Sequence, residues 1–390
     1  MRQNNGRLVV VVAAVAVAAV AIGGVLAYRQ GPSNASADAA PLSAPTKAPS
    51  TSPTTASPSK TPSRPPTSTP TVTPSGPVKV PVNLAKLPKG REPQVPYLIG
   101  REVRGGAGGA VKIPGKEPIH QIARQNVVVL AVVGKGSGSE LLKLGPTDGE
   151  VRRVADVSSI VSAADGSATA YAATRRGDDG GALKGGTLYA DSGLDVETLK
   201  RPNDSNLRVL GYVDGKVYFR ADTDDRGAWQ FYSWTPGSSK ATEITIGSPS
   251  ALSPDGRITA SMSQITDAGS CSDVTVVATG KRLWRTCESS VQGFTPDGRT
   301  AFGGPAYADG YCAGTAAALD ATTGRLFREW SGCFHQTVAE DDQHLLIVAD
   351  ATDGGGEDGY GSRAIIRCTL TTGACELATP LSGTGASIGS

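Results

Sequence analysis

The 390-residue chain contains only three histidines and two methionines, and none of its six cysteines precedes Cys271. Each shortage removes a class of function. His120, His335 and His344 stand far from any HExxH or comparable ligand spacing, so a zinc hydrolase has no support, and His335 and His344 read as strand or surface residues. No CxxC occurs, which leaves neither a thiolate metal site nor a redox pair. Aromatic residues make up 5% of the chain, little for a polysaccharide-stacking surface. Charge of either sign is also without excess: 38 Lys and Arg against 36 Asp and Glu give a net +2, with no concentrated basic field for phosphate neutralisation. Nucleic acid is not an expected partner.

Apolar residues, by contrast, run unbroken from Leu8 to Tyr28, with Arg2 and Arg7 before them and Arg29 after. At 1.5 Å per residue such a segment covers about 30 Å, the hydrocarbon thickness of a bilayer. The sequence therefore predicts a cytoplasmic N-terminus over residues 1–7, a transmembrane signal-anchor helix over 8–28 and an extracytoplasmic remainder. The alternative is secretion after signal cleavage near Ala35-Ser36-Ala37. The absence of cysteine before Cys271 excludes a lipid-modified cysteine behind the apolar run. Residues 29–92 follow as a disordered linker, dominated from Pro41 to Pro77 by Pro, Ser and Thr, which bury too little apolar area to offset ordering. Its hydroxyls suit either an O-glycosylated stalk or a bare spacer.

The remainder, 93–390, carries a repeat. Glycines between β-patterned runs recur at Gly149, Gly193, Gly237, Gly280, Gly324 and Gly373, about 44 residues apart. A second series, Asp165-Gly166, Asp214-Gly215, Asp255-Gly256 and Asp297-Gly298, falls between them. Two interleaved turns per repeat imply two hairpins and hence four strands. The expected fold is all-β, a β-propeller of four-stranded blades. Seven blades are favoured, with six as the alternative. Six units run from Ile119 to Leu381, and a partial unit, Val95 to Val103 then Ala110 to Pro114, is expected to be completed by Val78 to Leu84 and by the C-terminal tail.

Ser253-Pro254-Asp255-Gly256-Arg257 and Thr295-Pro296-Asp297-Gly298-Arg299 resemble the SPDGR turn of WD40-like and TolB-like repeats, and Ala163-Ala164-Asp165-Gly166 is a less complete copy. With its apolar run and stalk, the chain resembles membrane-anchored WD40-like, TolB-like β-propeller proteins of actinobacterial type, over about residues 93 to 381. The resemblance implies fold rather than ligand. The Gly-His and Trp-Asp signatures of true WD40 repeats are missing, so no interaction residues carry over.

All six cysteines lie in the last three repeats, as suits an oxidising exterior. Residues equidistant from a hairpin turn face each other closely enough to bridge. Cys271 and Cys287 are centred on the turn at Ala278 to Lys281, Cys312 and Cys333 on Ala321 to Gly324, and Cys368 and Cys375 on Thr371 to Gly373. Three disulfides are predicted in those pairs, each within its own blade.

Loops between second and third strands collect acidic residues on one face: Asp178, Asp179, Asp222, Asp224, Asp225, Asp267, Asp309, Asp353, Glu357 and Asp358. That face is the expected binding surface, since loops on a rigid scaffold commonly carry recognition. Asp222, Asp224 and Asp225 partly match a calcium loop but lack its regular third ligand and distal Glu; the segment reads as a solvated acidic loop first and a Ca2+ site second. No other cofactor is expected. Gly385-Ala386-Ser387-Ile388-Gly389 matches GxSxG without the strand and helix that a nucleophile elbow needs. Trp284 and Trp330 read as blade-packing or outer-edge aromatics. Together these features predict a non-catalytic, membrane-tethered, extracytoplasmic propeller that binds a protein or cell-envelope component. The alternative is a propeller hydrolase or lyase acting on a glycan or lactone through loop carboxylates.

Overall fold

A computed structural model describes residues 77–390 apart from 147–148, 224–228, 267–268, 309–310, 352–361 and 384. The apolar run 8–28 and the Pro/Ser/Thr segment up to residue 76 lie outside the described residues. Among the described residues no helix is long and apolar enough to cross a membrane.

The strands pair into five four-stranded sheets and one of eight strands. In the large sheet the strand Leu326–Ala339 serves twice, since its first half pairs with Ala313–Asp320 and its second, from Cys333, with His344–Asp350. Divided there, the sheets make seven blades. Blade 1 takes its first strand, Ala386–Ile388, from the end of the chain and sets it antiparallel to Tyr97–Ile99. Blades 2 to 5 begin with Ile119–Gln125, Val157–Ser162, Ser205–Val213 and Pro249–Leu252. Blade 6 begins with Ser289–Phe294, and blade 7 ends with Cys375–Leu377. First strands of successive blades lie side by side, so they form the inner wall of the ring.

Seven apolar clusters occupy the seven junctions. Leu98 and Val103 meet Ile122 and Val129 between blades 1 and 2. Tyr97 and Ile388 meet Leu346 and Ile365 between blades 7 and 1, which closes the ring. Because a blade is covered on both faces, its central strands need not alternate. Val129 to Val133 is a continuous buried run, as expected of a strand with two dry faces. In blade 5, Thr259 and Ser261 are buried beside Ala260 rather than turned to water, and the Thr259 hydroxyl donates to the Ala251 carbonyl at 2.7 Å. Each fully buried Leu, Ile or Val contributes about 1.5–3 kcal/mol.

Of the two glycine series, Gly193, Gly237, Gly280, Gly324 and Gly373 and all four Asp-Gly glycines occupy the left-handed region, for example Gly166 at φ +68°, Gly256 at +70°, Gly193 at +87° and Gly373 at +78°. The two copies of the Ser/Thr-Pro-Asp-Gly-Arg turn share one bonding scheme. The Ser253 hydroxyl donates to Asp255 at 2.6 Å and accepts the Ile258 N–H at 3.0 Å, while Thr295 donates to Asp297 at 2.7 Å and accepts the Thr300 N–H at 3.1 Å. The turn motif thus fixes the first hairpins of blades 5 and 6 through local hydrogen bonds.

Disulfides join Cys271 to Cys287, Cys312 to Cys333 and Cys368 to Cys375. Cys368 and Cys375 are direct cross-strand partners, as the hairpin argument requires. The expectation of one blade per bridge is corrected for Cys312–Cys333: Cys333 begins the half of its strand that pairs with Asp350, so this bridge ties the edge of blade 6 to blade 7.

The expectation for Val78 to Leu84 is corrected. Val78–Pro81 does not complete blade 1; it pairs parallel with Arg328 to Ser331 on the outer edge of blade 6. Leu84 is buried in the cluster of Trp330 and Phe334, and Lys89 bridges to Leu377 on blade 7. The alternating Val78, Val80, Val82 supplies an apolar face within a segment whose composition reads as linker, so residues 78–92 form a strap across blades 6 and 7. Val95 to Val103 is likewise two strands, broken at Gly100 with φ +59°.

Two buried charge clusters lock the ring. Arg367 of blade 7 pairs with Glu340 and reaches the Glu92 carbonyl at 3.0 Å, while Glu340 also accepts the Gln94 N–H at 2.7 Å and pairs with Arg91. Between blades 2 and 3, Lys143 pairs with Asp191 at 2.9 Å.

Candidate functional site

The loops between second and third strands open on the same face as the junctions from one blade to the next. On this face, among blades 2, 3 and 4, lies a cleft of about 290 Å³. Its walls come from first strands of three consecutive blades: Gln121, Ser158 and the pair Asn206 and Arg208. Arg176 and Thr174 from blade 3, and Arg220 and Trp229 from blade 4, also line it.

Three arginines therefore face a cleft that the sequence frames with aspartates. Asp178 and Asp179 occupy the turn just beyond Arg176, and Asp222 lies two residues beyond Arg220. Asp179 accepts the Gly181 N–H at 2.9 Å and is committed to its own turn. Arg176 donates to the Gly180 carbonyl at 2.7 Å. The other seven acidic residues expected on this face, Asp224, Asp225, Asp267, Asp309, Asp353, Glu357 and Asp358, lie outside the described residues, and with them most of the Ca2+ segment.

Arg208 and Arg220 are direct cross-strand partners. Like charges directly opposite one another on adjacent strands are destabilising. Arg208 is exposed, whereas Arg220 is 9% exposed, with its Cζ 3.5 Å from the centre of the Trp229 ring. Arg220 Nη1 donates to the Pro249 carbonyl at 3.0 Å, and Nε is buried without a partner. Burial, with the opposed Arg208 charge adding to it, pushes the Arg220 guanidinium down to about 10. The cation–π contact offsets part of the cost of burying the charge. No carboxylate among the described residues neutralises it.

A second cavity, about 390 Å³ between blades 1 and 7, also carries cations, and its two arginines are occupied. Arg101 donates to the carbonyls of Ile113, Pro114 and Glu117 at 2.6–3.1 Å. Arg363 donates to Asp350 at 2.6 Å and to the Tyr311 hydroxyl at 3.1 Å, and His335 Nε2 lies 2.8 Å from Asp350. Burial alone would raise the Asp350 carboxyl, yet the bonds from Arg363, His335 and Tyr311 outweigh it and hold the group below the usual carboxylate range. The ion cluster closes the base of the blade 7 loop. Ser387, the serine of the GxSxG string, is mid-strand opposite Leu98.

Two groups of potential metal ligands occur among the described residues, and neither suits an ion. In Cys333, His335 and Asp350 the sulfur is in a disulfide, and in Glu340, Asp341 and His344 the Glu340 carboxylate already holds Arg367 and Arg91.

No protein-family model and no curated protein matches the chain. Solved structures do. A prolyl endopeptidase, one of two compared for inter-domain dynamics in catalysis and specificity, is similar with TM-score 0.50 at 12% identity, over 78% of this chain and 53% of its own. The β-propeller domain of the Trilobed protease from Pyrococcus furiosus gives 0.44 at 10% identity, over 69% of this chain and 99% of its own. TolB from Acinetobacter baumannii gives 0.40 at 14%, over 63% and 68%. At these identities the likeness is one of fold. The chain is a β-propeller, and it spans about half the length of the prolyl endopeptidase.

Proposed function

We propose that the chain is a membrane-tethered, extracytoplasmic propeller that acts by binding a protein or cell-envelope component on the face bearing the long loops. The apolar run 8–28 and the Pro/Ser/Thr segment support the tether, and three disulfides support an oxidising compartment. The observation that carries the binding face is the open cleft among blades 2 to 4, whose three arginines have no ion pair among the described residues, whereas Arg363 in the cavity between blades 1 and 7 is paired with Asp350. Binding sites are concave and hold a few convergent polar groups on a rigid frame. The opposite face carries the tight Asp-Gly and Thr-Gly turns, whose polar groups are committed to one another.

A photo-crosslinking residue at Asp178, on the cleft rim, should capture an envelope component in living cells. The same residue at Asp214, in the opposite turn face, should not. Equal capture from both positions, or capture from Asp214 alone, would reject this face. Turnover of a glycan or lactone panel by the purified chain would reject binding as its mode of action.

A further inference from the structure

The geometry points to the cleft among blades 2, 3 and 4 as an oxyanion site, built to take a carboxylate or phosphate group of the ligand between Arg208 and Arg220. The inference deepens the proposed binding function by naming the ligand's chemistry, and it rests on that reading for the choice of face.

Three observations carry it. The first is the placement of two guanidinium groups directly opposite one another, Arg208 on the first strand and Arg220 on the second strand of blade 4. Two like charges at paired positions repel unless an anion sits between them. Neither has a carboxylate partner among the described residues. The buried Arg367 and Lys143 are paired with Glu340 and Asp191, and the buried Arg124 and Arg328, which have no carboxylate partner either, each hold two or more backbone carbonyls, where Arg220 holds one.

The second is the state of Arg220 itself. It is nine-tenths buried, bonds one carbonyl through Nη1, and has a buried Nε with no partner. A buried charge without compensation is strongly destabilising. Trp229 covers one face of the guanidinium and holds its plane fixed, which leaves the edge as the direction for further hydrogen bonds. A planar fork held in this way suits the bidentate geometry of carboxylates and phosphates.

The third is the space. The cleft opens to solvent on the loop face and has room for a small acid or for the acidic end of a longer molecule. Gln121 and Asn206 add side-chain amides and Thr174 a hydroxyl to the lining. Among the described residues the nearby acids do not neutralise the pair: Asp179 caps its own turn, and Asp178 is exposed. Asp222 makes no ion pair with Arg220 among the described residues.

The test uses the full chain in detergent at constant ionic strength, titrated calorimetrically with glutarate, with glycerol 1-phosphate and with ethanolamine as a cation control. Saturable binding of one or both anions is expected, and the stronger of the two identifies carboxylate or phosphate as the group recognised. Arg208→Ala, at an exposed position that the fold tolerates, and Arg220→Lys, which keeps the charge but not the fork, should each weaken that binding about tenfold or more. Anion binding that is unchanged in both variants lies elsewhere and overturns the inference, as does the absence of anion binding to the wild-type chain. Crosslinking from Asp178 that persists when anions fail to bind would leave the binding face standing and reject only the ligand chemistry.

Discussion

The Trp330 indole donates its N–H to the Gly373 carbonyl at 2.9 Å, from the last strand of blade 6 to the second-hairpin turn of blade 7. Trp284 makes the corresponding contact one junction earlier, donating to the Ala321 carbonyl at 2.8 Å. Both rings are buried, at 0% and 8% exposure, so each ties two blades by apolar area and one hydrogen bond. Trp330→Phe keeps most of the area but strands a buried carbonyl, and should cost about 1–3 kcal/mol in urea unfolding. A neutral result would show that the bond adds nothing to junction packing.

The same junction separates two reasons for glycine. Gly324 has φ +74° and a Cβ there would lie 2.6 Å from the Trp284 ring, whereas Gly280 has φ +67° with open space around it. Gly280→Ala should cost only the backbone term, about 1–2 kcal/mol. Gly324→Ala adds a clash with a fixed ring and should cost about 1–3 kcal/mol more. Equal losses in thermal unfolding would mean that Trp284 moves aside freely.

Acid should loosen the strap before it unfolds the blades. Burial would raise the Glu340 carboxyl, but the bonds from Arg367 and the Gln94 N–H, with the charges of Arg367 and Arg91, outweigh it and hold the group below the usual range. A carboxyl depressed in the folded state contributes stability above its unfolded value, near 4.5, and loses it as pH falls through the folded value. Unfolding free energy should therefore drop below about pH 4.5, and Glu340→Gln should flatten that limb while lowering stability at neutral pH. An unchanged acid limb in the variant would assign the pH dependence to other carboxylates.

Fold and site differ in how far the sequence reveals them. Turn residues declare themselves locally, because Asp-Gly and Thr-Gly are selected by a backbone geometry that the neighbours do not alter; hence the blade register and all three cysteine pairs were legible. Val78–Pro81 was not, since its partner Arg328 to Ser331 is some 250 residues away and the flanking Pro, Ser and Thr outweigh its short alternation. The cleft cations were hidden for a related reason. Arg208 and Arg220 each interrupt an apolar strand, which is a readable signal, but their opposition depends on register shifts at Ser205/Arg208 and Val209/Gly211. Bulges of this kind re-aim side chains without a pattern in composition. The aspartates drew attention because loops display their charge in sequence, although of those described only the rim holds them.

The disulfides should differ in worth. They close sequence separations of 16, 21 and 7 residues, and in the chain-entropy account a longer loop loses more freedom when bridged. Removing Cys312–Cys333 by paired Ala substitution should cost about 3 kcal/mol and removing Cys368–Cys375 about 2 kcal/mol. Unfolding curves that reverse this order would point to native-state packing, since Cys368 is fully buried.

Ring closure depends on five residues at the end of the chain. Ala386–Ile388 pairs with Tyr97–Ile99, and Ser390 exchanges backbone bonds of 3.2 Å with Ile122 and Arg124 of blade 2. Ile388 is 5% exposed in the cluster joining blades 7 and 1, so Ile388→Ala should cost about 2–5 kcal/mol. Ser387, on the same strand, is only half-buried and Ser387→Ala should change stability by less than about 0.5 kcal/mol. If the serine of the GxSxG string were a nucleophile, Ser387→Ala would abolish a measurable hydrolysis and labelling by a fluorophosphonate probe. Its position inside a ladder, without the strand-to-helix turn that exposes such a serine, leads us to expect no labelling of the wild-type chain. Deleting residues 386–390 should leave Tyr97–Ile99 as an open edge and lower the melting temperature further than Ile388→Ala does, because backbone pairing and apolar area are lost together.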